Sequence, residues 1–150
     1  MNIKKTYTML VKNKPGCLDR IAGITRRYGW NIVSTVCAET PDTAVTRITM
    51  ELECDKFCEW PDTAIGNLDF VLEMRVCGEE DYTFHEVLVA RGPEGSLAPE
   101  TGNAALVTRE GDKLTAWWLG EDADIAGLER RLSSLSGVHT VRSGPMALHR

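Results

Sequence analysis

Asn13 and Asn31 bracket a segment, NKPGCLDRIAGITRRYGWN, whose residue types suit the capture of a small zwitterion. Lys14-Pro15-Gly16 turns the chain sharply from a strand into a helix, and Gly29 suits a helix stop. At such a start the amides of Gly16, Cys17 and Leu18 lack intrahelical partners, and the helix dipole adds partial positive charge there. A carboxylate is the natural guest of those amides. Each flanking asparagine carries an amide oxygen able to accept from an ammonium group. The segment predicts a sensor for a small amino acid rather than a catalyst. Its duller reading is an ordinary strand-to-helix connection, with Asn31 a turn residue after Gly29.

Other reactive groups do not converge. Cys17 stands at the helix start, where a thiol can become reactive, but a small pocket-lining residue explains it as well. Cys54-x-x-x-Cys58 with His85 suggests a metal site, yet no second cysteine pair at finger-like spacing exists. His85, His139 and His149 are scattered, and none adjoins a Ser or Cys in a nucleophile motif. Glu51, Asp69 and Glu73 read as wet strand faces or turns. No metal, cofactor or catalytic residue is expected.

With 150 residues and a formal net charge of -5, the chain fits one ordinary domain or two very small ones. Lys and Arg form no stripe, which argues against nucleic acid. No apolar run approaches the ~20 residues that span a bilayer, and MNIKKTYT lacks a signal-peptide core. No membrane contact and a cytoplasmic location are expected. In a reducing compartment the five cysteines read as small, mostly buried apolar residues.

The elements needed to hold the segment follow from periodicity. TYTMLVKN (5–12) alternates as a strand with Tyr7, Met9 and Val11 on one face. The helix after it has Leu18, Ile21, Ala22, Thr25 and Tyr28 at core-facing spacing, with Arg20, Arg26 and Arg27 mainly wet. NIVSTVCA (31–38) and AVTRITMEL (44–52) form two more strands about a Thr40-Pro41-Asp42-Thr43 turn. A short helix lies within 55–68, begun or broken by Pro61. A fourth strand alternates Phe70, Leu72, Met74 and Val76 inward. The order is βαββαβ, which predicts a four-stranded antiparallel sheet with both helices on one face.

A seam at 78–81 precedes a second round. FHEVLVAR is a strand, and NAALVTR with KLTAWWLG makes a hairpin about Gly111. A helix over 123–135 carries Ile125, Leu128, Leu132 and Leu135, with Asp122 or Asp124 as cap and Gly137 as stop. A last strand covers 138–148. The expected first helix is replaced by GPEGSLAPETG, an irregular loop or single turn. The fold class is therefore α+β: two tandem ferredoxin-like modules, 1–79 for ligand and 80–150 degenerate. With its first helix lost or shortened, the second module is free to dock a partner. Trp117 and Trp118 point to opposite faces of their strand, so one is core and the other a candidate contact. Small modules with open sheet edges favour a homodimer joined edge to edge.

LVKNKPGCLDRIAGITRRYGWNI resembles the first helix region of ACT domains, specifically that of the acetolactate synthase small (regulatory) subunit. TVCAETPDTAVTRITMEL resembles the hairpin that follows in that family, and VRSGPMALHR is similar to its carboxyl-terminal pattern. The resemblance implies a non-catalytic subunit without thiamine diphosphate. It would activate a separate large catalytic subunit and transmit feedback from valine, leucine or isoleucine bound between two side-by-side ACT modules. The family's contact positions match Asn13, Gly16 and Asn31, with Cys17 and Leu18 beside them. Pro15 and Ile32 complete the expected ligand-binding set, and the ligand's side chain would rest on Leu18, Ile32 and Val36. The 92–102 loop, the segment around Pro61 and Ile32-Val33-Ser34-Thr35 depart from the family pattern. The alternatives are a stand-alone ACT sensor governing another enzyme or a transcription factor, and a small enzyme using the dimer cleft.

Overall fold

The computed structural model describes residues 2–55, 59–78 and 80–150. They divide into two compact units, residues 1–83 with 149–150 and residues 84–148. In the first unit, β1 (Asn2–Lys12), α1 (Cys17–Arg27), β2 (Asn31–Glu39), β3 (Val45–Asp55), α2 (Asp62–Gly66) and β4 (Val71–Cys77) follow one another. The sheet order is β2-β3-β1-β4, antiparallel throughout, with β2 and β4 as its edges.

Alternation decides what is buried. Tyr7, Met9 and Val11 of β1 and Ile48, Met50 and Leu52 of β3 form the core floor, and Ile21 of α1, Trp30, Ile65 of α2 and Phe70 complete it. The buried line of α1 is Cys17, Ile21 and Thr25, so Leu18, expected inward, is instead 47% exposed. Pro61 starts α2 rather than breaking it, since its missing N–H is no loss at a helix start. Tyr7 donates its hydroxyl to Asp62 Oδ1 at 2.6 Å, fastening α2 to β1.

On β4 the expected inward set fails at Leu72 and at Val76, both of which are exposed. The β1–β4 register shifts so that Leu10 pairs with Glu73 and Val11 with Val71, leaving Leu72 in a bulge. Cys54 is disulfide-bonded, whereas Cys17, Cys37 and Cys77 are free thiols and Cys37 is exposed. The described cysteines are thus mostly buried, as expected, and the reading of them as reduced thiols is corrected at Cys54. Cys58, and the part of the 55–68 helix window at 56–58, lie outside the described residues.

The second round has β5 (Tyr82–Pro93), α3 (Glu94–Leu97) running into a 3₁₀ turn (Ala98–Asn103), β6 (Leu106–Glu110), β7 (Lys113–Gly120), α4 (Asp122–Ser133), β8 (His139–Arg142) and β9 (Met146–His149). Its sheet order, β6-β7-β5-β8, repeats that of the first, and β9 also pairs with β5. The two α+β modules are therefore tandem ferredoxin-like units, the second with a first helix cut to four residues. Ile125, Leu128 and Leu132 of α4 pack on Leu88, Ala90, Leu114, Ala116 and Trp118. Leu97, fully buried, anchors the short α3.

Two local expectations change. The N-cap position of α4 is held by Glu121 rather than by Asp122 or Asp124, and it makes no side-chain cap bond. The single last strand is split, because Gly144 takes φ 76° ahead of Pro145 and ends β8 early.

Candidate functional site

The turn between β1 and α1 is built by two backbone constraints. Asn13 donates its backbone N–H to the Ala44 carbonyl at 2.7 Å, closing the end of β1 onto the β2–β3 loop. Gly16 then adopts φ 84°, ψ -3°, the left-handed conformation in which a side chain is strained. That reversal directs α1 back across the sheet. Its first buried residue, Cys17, donates its thiol to the Lys12 carbonyl at 3.4 Å.

The helix start is open. The Cys17 amide reaches only the Lys14 carbonyl, at 3.4 Å, and the Arg20 amide begins the helical ladder on the Gly16 carbonyl at 3.1 Å. Among the described residues the amides of Gly16, Leu18 and Asp19 have no partner, and no side chain caps the helix. Asn13 Nδ2 donates to the Thr43 carbonyl at 3.1 Å, which leaves Oδ1 as an acceptor.

These groups border a cleft of about 260 Å³. Asn13, Gly16, Cys17 and Leu18 line it together with Asp19, and its floor is formed by Val11, Cys37, Thr46 and Ile48. Pro15 shapes the turn without lining the cleft. Asn31 and Ile32 are not brought there within one chain: they open β2, beyond the far end of α1, an 11-residue helix spanning roughly 16 Å. Ile32 packs against the core from that end.

The floor residues were missed because they come from cross-strand pairing. Cys37 pairs with Ile48 and shares its face, whereas Val36 pairs with Thr49 on the opposite face. Val36 is therefore turned away, and Cys37 stands where it was expected. Thr46 pairs with Val11 and Ile48 with Met9, so both share the core face of β1; that register, which the local sequence does not encode, brings them to the cleft.

Lys12, Lys14 and Asp19 are the charged residues that line the cleft. Partial burial raises the Cys37 thiol above its ordinary pKa, keeping it protonated and neutral near pH 7. On the far side of the turn, Arg20 donates to Asp69 Oδ1 at 2.7 Å; that hydrogen bond holds the Asp69 carboxyl below the usual carboxylate range. Lys12 Nζ donates to the Asp69 carbonyl at 3.2 Å. The arrangement offers donors, one amide oxygen and an apolar floor, which is equipment for binding.

In the second module Glu94 makes the bond equivalent to that of Asn13, donating its amide to the Asp112 carbonyl at 2.9 Å, and its carboxylate pairs with Arg109.

The first module is thus a βαββαβ sheet of ferredoxin-like order with a glycine turn opening its first helix. Residues 8–73 match the family model of the AHAS small subunit-like ACT domain. Over that segment, which is less than half of the chain, the protein is similar to the ACT domain of acetolactate synthase small subunits. It is 43% identical over 53 residues to the probable acetolactate synthase small subunit of Archaeoglobus fulgidus, a match covering 35% of this chain and 33% of that protein. It is 26% identical over 90 residues to the acetolactate synthase isozyme 3 small subunit of Escherichia coli K12, covering 59% of this chain and 55% of that one. The chain thus spans between a third and about half the length of these curated relatives. A crystal structure of the acetolactate synthase small subunit from Thermotoga maritima superposes with a TM-score of 0.77 at 18% identity, over 99% of this chain and 98% of that one, and shares the fold.

Proposed function

We propose that this chain is a non-catalytic regulatory subunit that binds a branched-chain amino acid and modulates a thiamine-diphosphate-dependent acetolactate synthase catalytic subunit. Residues 1–79 act as the ligand-binding ACT module and 80–150 as the degenerate one. The observation that carries the reading is the open helix start: three unpartnered amides and the free Asn13 Oδ1 border one apolar-floored cleft.

The ligand's carboxylate accepts from the amides of Gly16, Leu18 and Asp19, and its ammonium donates to Asn13 Oδ1. Charge-assisted contacts of this kind contribute roughly 1.5–3 kcal/mol each. The aliphatic side chain rests on Leu18, Cys37 and Ile48, a floor that suits valine, leucine or isoleucine.

A second copy completes the site. β2 is an edge strand with free backbone groups. Antiparallel pairing of β2 with β2 of another copy, centred near Thr35, brings the start of one strand beside the end of the other. The partner copy's Asn31 and Ile32 then adjoin Cys37 and the cleft. Ligand binding and dimer formation are consequently linked, each strengthening the other by the same factor.

The test is reconstitution. Purified acetolactate synthase catalytic subunit is assayed with and without this chain, and with valine, leucine and isoleucine. Stimulation by the chain and its reversal by one of the three amino acids support the reading. Amino-acid binding with no effect on the synthase would favour a stand-alone sensor of another enzyme.

A further inference from the structure

The floor of the cleft at the β1–α1 turn is not wholly apolar. Val11 and Ile48 are buried, but Thr46 and Cys37 line the same floor. Thr46 lies directly opposite Val11 in the β1–β3 ladder, and Cys37 directly opposite Ile48 in the β2–β3 ladder. All four side chains therefore share one face of the sheet. Thr46 is half-buried, and among the described residues its hydroxyl has no hydrogen-bond partner; Glu39, which pairs with Thr46 from β2, makes no bond to it. In the open cleft solvent satisfies that hydroxyl. A ligand side chain resting on the floor displaces the solvent. A purely aliphatic side chain then leaves the hydroxyl unpaired, which costs more than one ordinary hydrogen bond contributes. A hydroxyl on the ligand restores the pairing.

We propose that Thr46 is a specificity-determining residue of this cleft, and that it admits threonine, the hydroxyl-bearing isostere of valine, as a ligand. The inference rests on the amino-acid-binding reading above and specifies the side-chain class that the floor accepts. Threonine offers a methyl to Val11 and Ile48 and a hydroxyl to Thr46; valine offers two methyls. A wholly apolar pocket rejects such a hydroxylated isostere by about a hundredfold. A hydroxyl waiting on the floor removes most of that rejection, because the polar group finds a partner instead of being stripped of water. The Cys37 thiol is both a weak donor and a weak acceptor, so it tolerates either side chain.

The experiment is calorimetric titration of the full chain with valine, leucine, isoleucine and threonine, for wild type, Thr46→Val and Thr46→Ser. Far-ultraviolet circular dichroism checks that each variant is folded. On wild type the dissociation constant of threonine is expected within about tenfold of that of valine. Thr46→Val keeps the shape and removes the hydroxyl, and should raise the ratio of the threonine constant to the valine constant by about a further tenfold. Thr46→Ser keeps the hydroxyl and should hold the wild-type ratio. The ratio is the readout because a merely structural role for Thr46 would move both constants together. Threonine binding to wild type more than about tenfold weaker than valine overturns the inference, and that arm needs no variant to fold. A ratio unmoved in folded Thr46→Val, or moved as far by Thr46→Ser, overturns it too. Heat from a branched-chain amino acid and none from threonine overturns this inference alone; no heat from any of the four overturns the amino-acid reading with it.

Discussion

Asn13 Nδ2 donates to the carbonyl of Thr43 at 3.1 Å, tying the β1–α1 turn to the β2–β3 loop and fixing which atom of the amide remains to accept. Asn13→Ala removes both functions. It should lower stability by about 0.5–1.5 kcal/mol, the net worth of one such bond, and weaken amino-acid binding about tenfold. Chemical denaturation and calorimetry on the same variant check the two effects separately.

Cys37 is exposed and lines the cleft floor, whereas Cys17 and Cys77 are buried. A soluble maleimide should therefore label Cys37 first, and a saturating ligand should slow that reaction. Burial raises the Cys77 thiol to about 11. An acid whose folded pKa is raised binds its proton longer when folded, so its contribution to stability is full below the unfolded value and is lost as pH rises toward 11. Midpoints of thermal unfolding should accordingly fall above pH 9, and Cys77→Ala should flatten that decline.

Much of this was legible in the chain. The period-two runs of β1 and β3 and the helical spacing of α1 identified the first module, and the shared βαββαβ order identified the second. The failures were non-local. Leu72 obeys the alternation of its own strand, but the bulge that exposes it is set by pairing with β1. Leu18 sits at a core-compatible spacing, yet the sharp turn at Gly16 rotates the buried line to Cys17, Ile21 and Thr25. Cys37 entered the cleft through its register with Ile48, a relation that no local pattern encodes.

Gly92 lies against Val138. A Cβ at this position would stand 2.7 Å from Val138 Cγ2 and 3.1 Å from its Cα. Gly92→Ala forces a backbone shift between β5 and the start of β8, and it should destabilise the second module by about 1–3 kcal/mol. Amide exchange resolved by module would find the loss confined to residues near β5 and β8.

Glu86, 2% exposed at its side chain, is held by Arg142 Nη2 at 2.5 Å, and Glu129 lies 3.7 Å from the same guanidinium. Arg142→Ala strips the buried carboxylate of that guanidinium and should cost about 3–5 kcal/mol. Adding Glu86→Gln should recover part of the loss, because the buried carboxylate that lost its guanidinium is then replaced by a neutral amide. Urea titration of the single and double variants measures both.

The decisive measurement is isothermal titration calorimetry of valine, leucine and isoleucine against wild type and Gly16→Asp. Gly16 has open space around its missing side chain, so the added carboxylate competes for the amides that the ligand should use. Heat with at least one of the three amino acids, lost in the folded variant, is the expected result. Wild type giving no heat with any of them, or a folded Gly16→Asp binding as tightly as wild type, would contradict capture of the ligand at the start of α1.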